Sequence, residues 1–288
     1  MAIFEHRDEN VAMRSIWKGA ISFGLVTIPV KLYSATEQKD VSFHQVHRED
    51  GGRIRYKRVC TVDGEEVAYA DIAKGYELPT GDMVVLTDDD FADLPLSSSR
   101  RIDVLQFTPV EQIDPIYFAK SYYLEPDAQG AKPYVLLRDA LERSGQVAIV
   151  KVALRQRESL ATLRVRDGIF VLETMLWPDE VRTADFPFLD EDIDLRPQEL
   201  KMAESLIETM VADFDPGEYK DAYREALQEV IDAKVAGREV VPVEAPAEAG
   251  PAVDLMAALR ASVDAAKRER EGAQKKKAEP KKKARKTA

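Results

Sequence analysis

The sequence predicts an α+β fold, a sheet or barrel body followed by helices, and three observations predict it. From about Met13 to Pro178 the apolar residues recur mostly with period two. One stretch at helical spacing interrupts them. After the tripeptide Leu195, Arg196, Pro197 the period changes to 3.6, and a run of strands followed by a run of helices is the α+β order.

Taken in order, residues 1–12 lack periodicity and read as a flexible extension, with Met13 as an alternative start. In VTIPVKLY, Val26, Ile28, Val30 and Leu32 alternate with Thr27, Pro29, Lys31 and Tyr33, a half-buried strand placed near a sheet edge by Pro29. RIRYKRV, MVVLT, RIDVLQFTPV, IYFAKSYYLEP, VAIVKVALRQR, ATLRVRD and IFVLETMLWP are further strands, punctuated by Gly, Asp and Pro. Between them, Tyr134, Leu137 and Leu141 in KPYVLLRDALERSG mark the interrupting helix.

Pro197 suits the first position of a helix whose stripe is Leu200, Ala203, Leu206, Ile207, Met210, Val211 and Phe214. A second helix is expected to open at DPGE, with Asp215 as cap and Glu218 completing a capping box, and to end near Gly237. The core therefore spans 13–236. Residues 237–252, rich in Pro, Ala and Glu, form an extended linker. At 253–266 a short amphipathic helix presents Leu255, Met256, Leu259 and Val263; alone in water it is marginal and needs a groove to dock in. Residues 267–288 are low complexity and expected to be disordered.

No apolar run reaches the roughly 20 residues that cross a bilayer, and the N-terminus mixes charges where a secretory signal would be apolar, so the expected location is cytoplasmic. The single cysteine, Cys60, excludes an intrachain disulfide and a multi-thiolate metal site. The net charge of -11 argues against a nucleic-acid partner, but the average misleads. From Lys267 onward eleven Lys and Arg stand against three Asp and Glu, a net of +8, which leaves -19 on the other 266 residues. This is a basic arm on an acidic body.

Two features point to a polyanion. If Glu158 to Ala161 form a turn, alternation puts Lys151, Arg155, Arg157, Arg164 and Arg166 on one acid-free hairpin face, where like charges repel unless something negative lies between them. The other feature is the tail, with Lys275, Lys276, Lys277, Lys281, Lys282, Lys283, Arg285 and Lys286. Arg53, Arg55 and Lys57 share a side of RIRYKR, but the nearby pairs Glu49–Asp50 and Glu65–Glu66 favour a merely solvated face there.

Catalytic signals are thin. His44 and His47 are spaced HxxH without a zincin acid, Asp88, Asp89 and Asp90 read as a helix-start cluster, and Ser97 to Ser99 have no paired base. No phosphate-binding glycine loop or nucleophile elbow occurs. The expectation is a non-enzymatic DNA-binding protein without cofactor or metal, with a nucleoid architectural protein acting through its tail as the alternative and a metal-dependent nuclease a distant third.

Several segments together resemble bacterial Ku, the DNA end-binding family of non-homologous end joining. They are RSIWKGAISFGLVTIPVKLYSATE at 14–37, IDPIYFAKSYYLEP at 113–126, YVLLRDALERSGQVAIVKVALRQRESLATLRV at 134–165, TMLWPDEVR at 174–182, and LRPQELKMAESLIETMVADF through YKDAYREAL. The resemblance implies a homodimeric ring in which each chain supplies a β-barrel and a long bridging β arm, threaded onto double-stranded DNA ends. It implies that the basic hairpin lies in that arm, that Leu255, Met256, Leu259 and Val263 recruit ATP-dependent DNA ligase D, and that the protein is nucleoid-associated with no membrane partner. One departure stands out: relatives carry CxxC after RIRYKRV, whereas here Asp63 replaces the second cysteine.

Overall fold

The structure, a computed structural model, describes residues 13–92, 100–154, 157–237 and 255–278. It divides into two compact units, Met1–Ala184 and Asp185–Ala288.

The first unit opens with β1 (Trp17–Phe23) and β2 (Val26–Ser34), joined by a two-residue turn in which Gly24 takes φ +58. The chain then leaves as a long insertion carrying the small hairpin β3 (Lys74–Glu77) and β4 (Met83–Leu86) and the turn of helix α1 (Asp88–Ala92). It returns as β5 (Arg101–Pro109) and β6 (Phe118–Pro126), helix α2 (Ala131–Ser144), and the strands β7 (Gln146–Leu154), β8 (Arg157–Arg166) and β9 (Ile169–Met175). Seven strands close a barrel in the order β1-β2-β6-β9-β8-β7-β5, and a parallel β1/β5 pairing seals it. Closure leaves no sheet edge.

That closure corrects the edge placement of β2. Pro29 is tolerated instead because β2 meets β6 only from Val30 onward, so no ladder bond is asked of its missing N–H on that side. The period-two pattern has its expected consequence: Ile21, Ile28, Val30, Leu32, Ile102, Leu124, Val150, Val152, Leu163, Phe170 and Leu172 are fully buried. Trp17 packs across Gly19, where a Cβ would stand 2.1 Å from the indole and 2.3 Å from the Arg100 carbonyl oxygen; only glycine fits. The β8–β9 turn uses Asp167 (φ 52) and Gly168 (φ 75), the Asp-Gly signature of a type I′ hairpin.

Helix α2 follows its predicted stripe, since Tyr134, Leu137 and Leu141 join the barrel core. The Tyr134 hydroxyl donates to the Leu124 carbonyl at 2.6 Å and accepts from the Phe170 N–H at 2.8 Å, while the ring meets Phe170 edge-on at 4.7 Å. Burial pushes its phenol pKa up. One side chain therefore stitches the helix to two neighbouring strands.

The second unit contains α3 (Pro197–Met210), α4 (Ala222–Val235) and α5 (Leu255–Ala278). Helix α3 begins at Pro197, as its sequence requires. The second helix does not open at DPGE. Asp215 caps only a single 3-10 turn, accepting from the Gly217 N–H at 2.8 Å, and Asp221 caps α4 through the Arg224 N–H at 3.0 Å. Helix α5 also overruns its expected limits: instead of ending at 266 it continues to Ala278, so the first half of the tail is helical. Apart from Gly272, that extension consists of Ala and straight-chain Lys, Arg, Glu and Gln, which favour helix over coil.

Candidate nucleic-acid interface

The basic hairpin exists, but its geometry differs from the expected one. The register pairs Leu154 with Arg157, Ala153 with Glu158 and Lys151 with Leu160, so Glu158 to Ala161 lie inside β8 rather than in a turn. Moving the turn places Arg157 in β8 instead of the outgoing strand and reverses its facing. Lys151, Arg164 and Arg166 stay on the outer face with Glu158, while Arg157 joins Leu154 on the inward side. There Arg157 lines the barrel mouth near Trp17, Tyr122, Ser159 and Glu180. Arg155 lies outside the described residues. The hairpin is also a pair of barrel staves, not part of an arm.

Nor is the outer face free of acids. Lys151 pairs with Glu158 at 3.4 Å and lies 5.5 Å over the Trp177 ring. Arg166 pairs with Asp167 at 3.4 Å. Arg157 is bound to Glu180, whose carboxyl is held below its usual range first by the Trp177 N–H at 2.8 Å and then by Arg157. The strongest pair is Arg164 with Glu173, a two-pronged contact at 2.7 and 2.8 Å. It raises the guanidinium pKa and holds the Glu173 carboxyl below its ordinary value, the mutual hydrogen bond being the main cause for both. Each of these four cations is thus already matched by a carboxylate.

The insertion between β2 and β5 is different. Over residues 36–91 no side chain is buried. RIRYKRV is not a regular strand there. Isolated bridges pair Val46 with Arg53 and Val59 with Glu66, making two successive tight turns. In the first, the His47 ring meets Asp50 at 3.1 Å; in the second, Asp63 accepts from the Glu65 N–H at 2.9 Å. Asp63 thus serves the turn, and among the described residues no cluster of three or more His, Cys, Asp or Glu side chains is placed to hold a metal. Asp88 to Asp90 open α1, as expected for a helix-start cluster, with Asp90 accepting from the Thr87 N–H at 2.7 Å.

On this arm Lys57 pairs with Glu66 at 2.6 Å and Arg58 stacks 5.3 Å over Tyr69. Arg48, Arg53 and Arg55 make no side-chain ion pair among the described residues. They stand on the same exposed segment as Phe43 and Tyr56, and as cations without an acidic partner they suit a polyanion. The sequence reading expected a solvated face here, with Glu49, Asp50, Glu65 and Glu66 as neutralisers. Among the described residues Glu66 pairs with Lys57 and Asp50 with His47, and none of these acids pairs with the segment's arginines.

Of the tail cations, Lys275, Lys276 and Lys277 fall within α5, while Lys281, Lys282, Lys283, Arg285 and Lys286 lie outside the described residues. The apolar stripe expected to dock a partner lies on α5, where Val263 is buried, Met256 and Leu259 are half-buried, and Leu255 is exposed. Among the described residues no helix is long and apolar enough to cross a membrane.

The comparisons agree with this architecture. Residues 22–202 match the family model described as the Ku70/Ku80 beta-barrel domain. The chain is 71% identical to the non-homologous end joining protein Ku of Frankia casuarinae over 260 residues, covering 90% of this chain and 66% of that one. It is 52% identical to the protein of the same name from Mycolicibacterium smegmatis (88% and 83% covered) and 49% identical to that from Mycobacterium tuberculosis (88% and 96%). The closed seven-stranded barrel, the β2–β5 insertion and these matches along nearly the whole chain make it a member of the bacterial Ku family of non-homologous end joining proteins.

Proposed function

We propose that this chain binds double-stranded DNA ends without reading their sequence, as a homodimeric ring in double-strand break repair, and that it protects ends and recruits and stimulates ATP-dependent DNA ligase D. The observation that carries the reading is the arm. A long insertion with no buried side chain over 36–91, bearing Arg48, Arg53 and Arg55 that make no ion pair among the described residues, presents these cations to solvent. Two such arms from two barrels enclose a duplex. Contacts to phosphate and sugar carry no sequence information, so specificity for ends comes from topology. The names of the relatives support the repair role.

Within this reading the first phosphate contacts belong to the arm arginines. Lys151, Arg157, Arg164 and Arg166 contribute only by exchanging a carboxylate for a phosphate, and Arg155 and the tail lysines add charge-driven affinity. The tail cations offset the repulsion between DNA and an acidic body. The protein works at the nucleoid in the cytoplasm, without cofactor, metal or chemistry of its own. The deciding experiment compares linear duplex with covalently closed circles of the same length and sequence at equal salt. Strong preference for the linear form is expected, and equal binding to both overturns the ring.

A further inference from the structure

The docking stripe of α5 is not presented as a free surface. Helix α5 packs on α3 in the same unit, and Val263 is only 6% exposed. On α3, Met202, Ala203 and Leu206 are half-buried, while Leu200, Ile207 and Met210 along the edge of the same apolar stripe are more than half exposed. The face that α5 covers is therefore the Met202, Ala203, Leu206 side. This supplies in cis the groove that a short amphipathic helix needs. Because the two helices belong to one chain, their association is intramolecular and works at high effective concentration.

We propose that α3 is an internal competitor for the docking stripe, so that the ligase engages Leu255, Met256, Leu259 and Val263 only when α5 has left α3. The proposal rests on the reading that this stripe recruits ligase D. Leu255, exposed while Val263 is buried, marks the end at which a partner first gains a hold and peels the helix away. A partner that binds only the released state has its affinity reduced by the fraction of time α5 is released. Weakening α3 then strengthens recruitment, the opposite of what loss of a binding residue does.

The test uses the full chain with Leu206→Glu on α3, and Ala203→Arg as a second variant with good helix propensity. Amide exchange along 255–268 reports the clasp, and titration with purified ligase D from the same organism reports recruitment. Both variants are expected to speed α5 exchange, leave DNA binding unchanged, and tighten ligase binding about tenfold, the change expected for setting free one buried aliphatic side chain. Val263→Asp is expected to release α5 and yet abolish ligase binding. Parent α5 amides that already exchange as fast as those of the variants overturn the clasp. A released α5 that binds ligase no better, or worse, overturns competition and makes α3 and α5 one joint surface. No ligase binding by any form refutes the recruitment reading and the competitor role together, while the exchange data still separate a clasped helix from a loose one.

Discussion

Replacing Arg53 and Arg55 by Gln removes from the insertion two cations that make no ion pair among the described residues, without touching the barrel, and its effect on salt dependence follows from counting. Each phosphate neutralised by protein contributes about 0.9 to the slope of log affinity against log salt. Two arginines on each of two copies therefore shallow the slope by about 3.6 if all four touch phosphate, and by about 1.8 if one arm alone does. Between 50 and 200 mM salt, conditions that span the usual binding assay, the larger change means that the variant loses on the order of a hundred-fold less affinity than the parent does. Fluorescence anisotropy of a labelled linear duplex across that range measures it. The matching control is Lys151→Gln with Arg164→Gln, whose cations already hold Glu158 and Glu173, and its expected slope change is under about 1. If the barrel pair moves the slope and the arm pair does not, the assignment of first contacts to the arm is wrong.

Three other outcomes are expected. Tyr134→Phe strips the Leu124 carbonyl and the Phe170 N–H of their shared partner and lowers stability by about 1–3 kcal/mol, read as a lower urea midpoint with unchanged slope. Glu173 has a native pKa below its unfolded value of about 4.3, so its stabilising effect is fully present above that value and lost as pH falls through the native pKa. Arg164→Gln should therefore flatten the acid limb of stability against pH, and an unchanged limb would show that the pair contributes nothing. Deleting 267–288 is expected to reduce DNA affinity while keeping the preference for linear over circular duplex; complete loss of binding would favour an architectural protein that acts through its tail.

Much of the fold was legible because alternation is a local property. The strands around Ile28, Val150, Leu163 and Phe170, and the α2 stripe of Tyr134, Leu137 and Leu141, needed only their own neighbours to be recognised. The interface was less legible because facing depends on where a strand turns. Glu158 reads equally well as a turn residue and as the cross-strand neighbour of Ala153, and that choice decides whether Arg157 points in or out. Glu173, nine residues from Arg164 along the chain, becomes its partner only through the β8–β9 register, which no charge count reveals. On the insertion, nearness in sequence is not pairing: Glu65 and Asp50 lie close to Arg53 and Arg55 along the chain, yet the ion pairs they or their neighbours make go to His47 and Lys57.

Charge content and charge availability are thus separate quantities in this chain. The hairpin cations are concentrated in sequence but matched in space, and Arg164 is held so firmly that its removal strands a carboxylate whose side chain is only 16% exposed. Binding DNA through it would first have to pull the guanidinium from Glu173 and leave that carboxylate facing a phosphate. The arm arginines carry no such penalty. A sequence-independent binder has to accept any duplex and let it slide, which favours contacts that form and break without dismantling internal pairs. The barrel pairs are better suited to fixing the strands that carry the arm, and the arm to meeting the DNA.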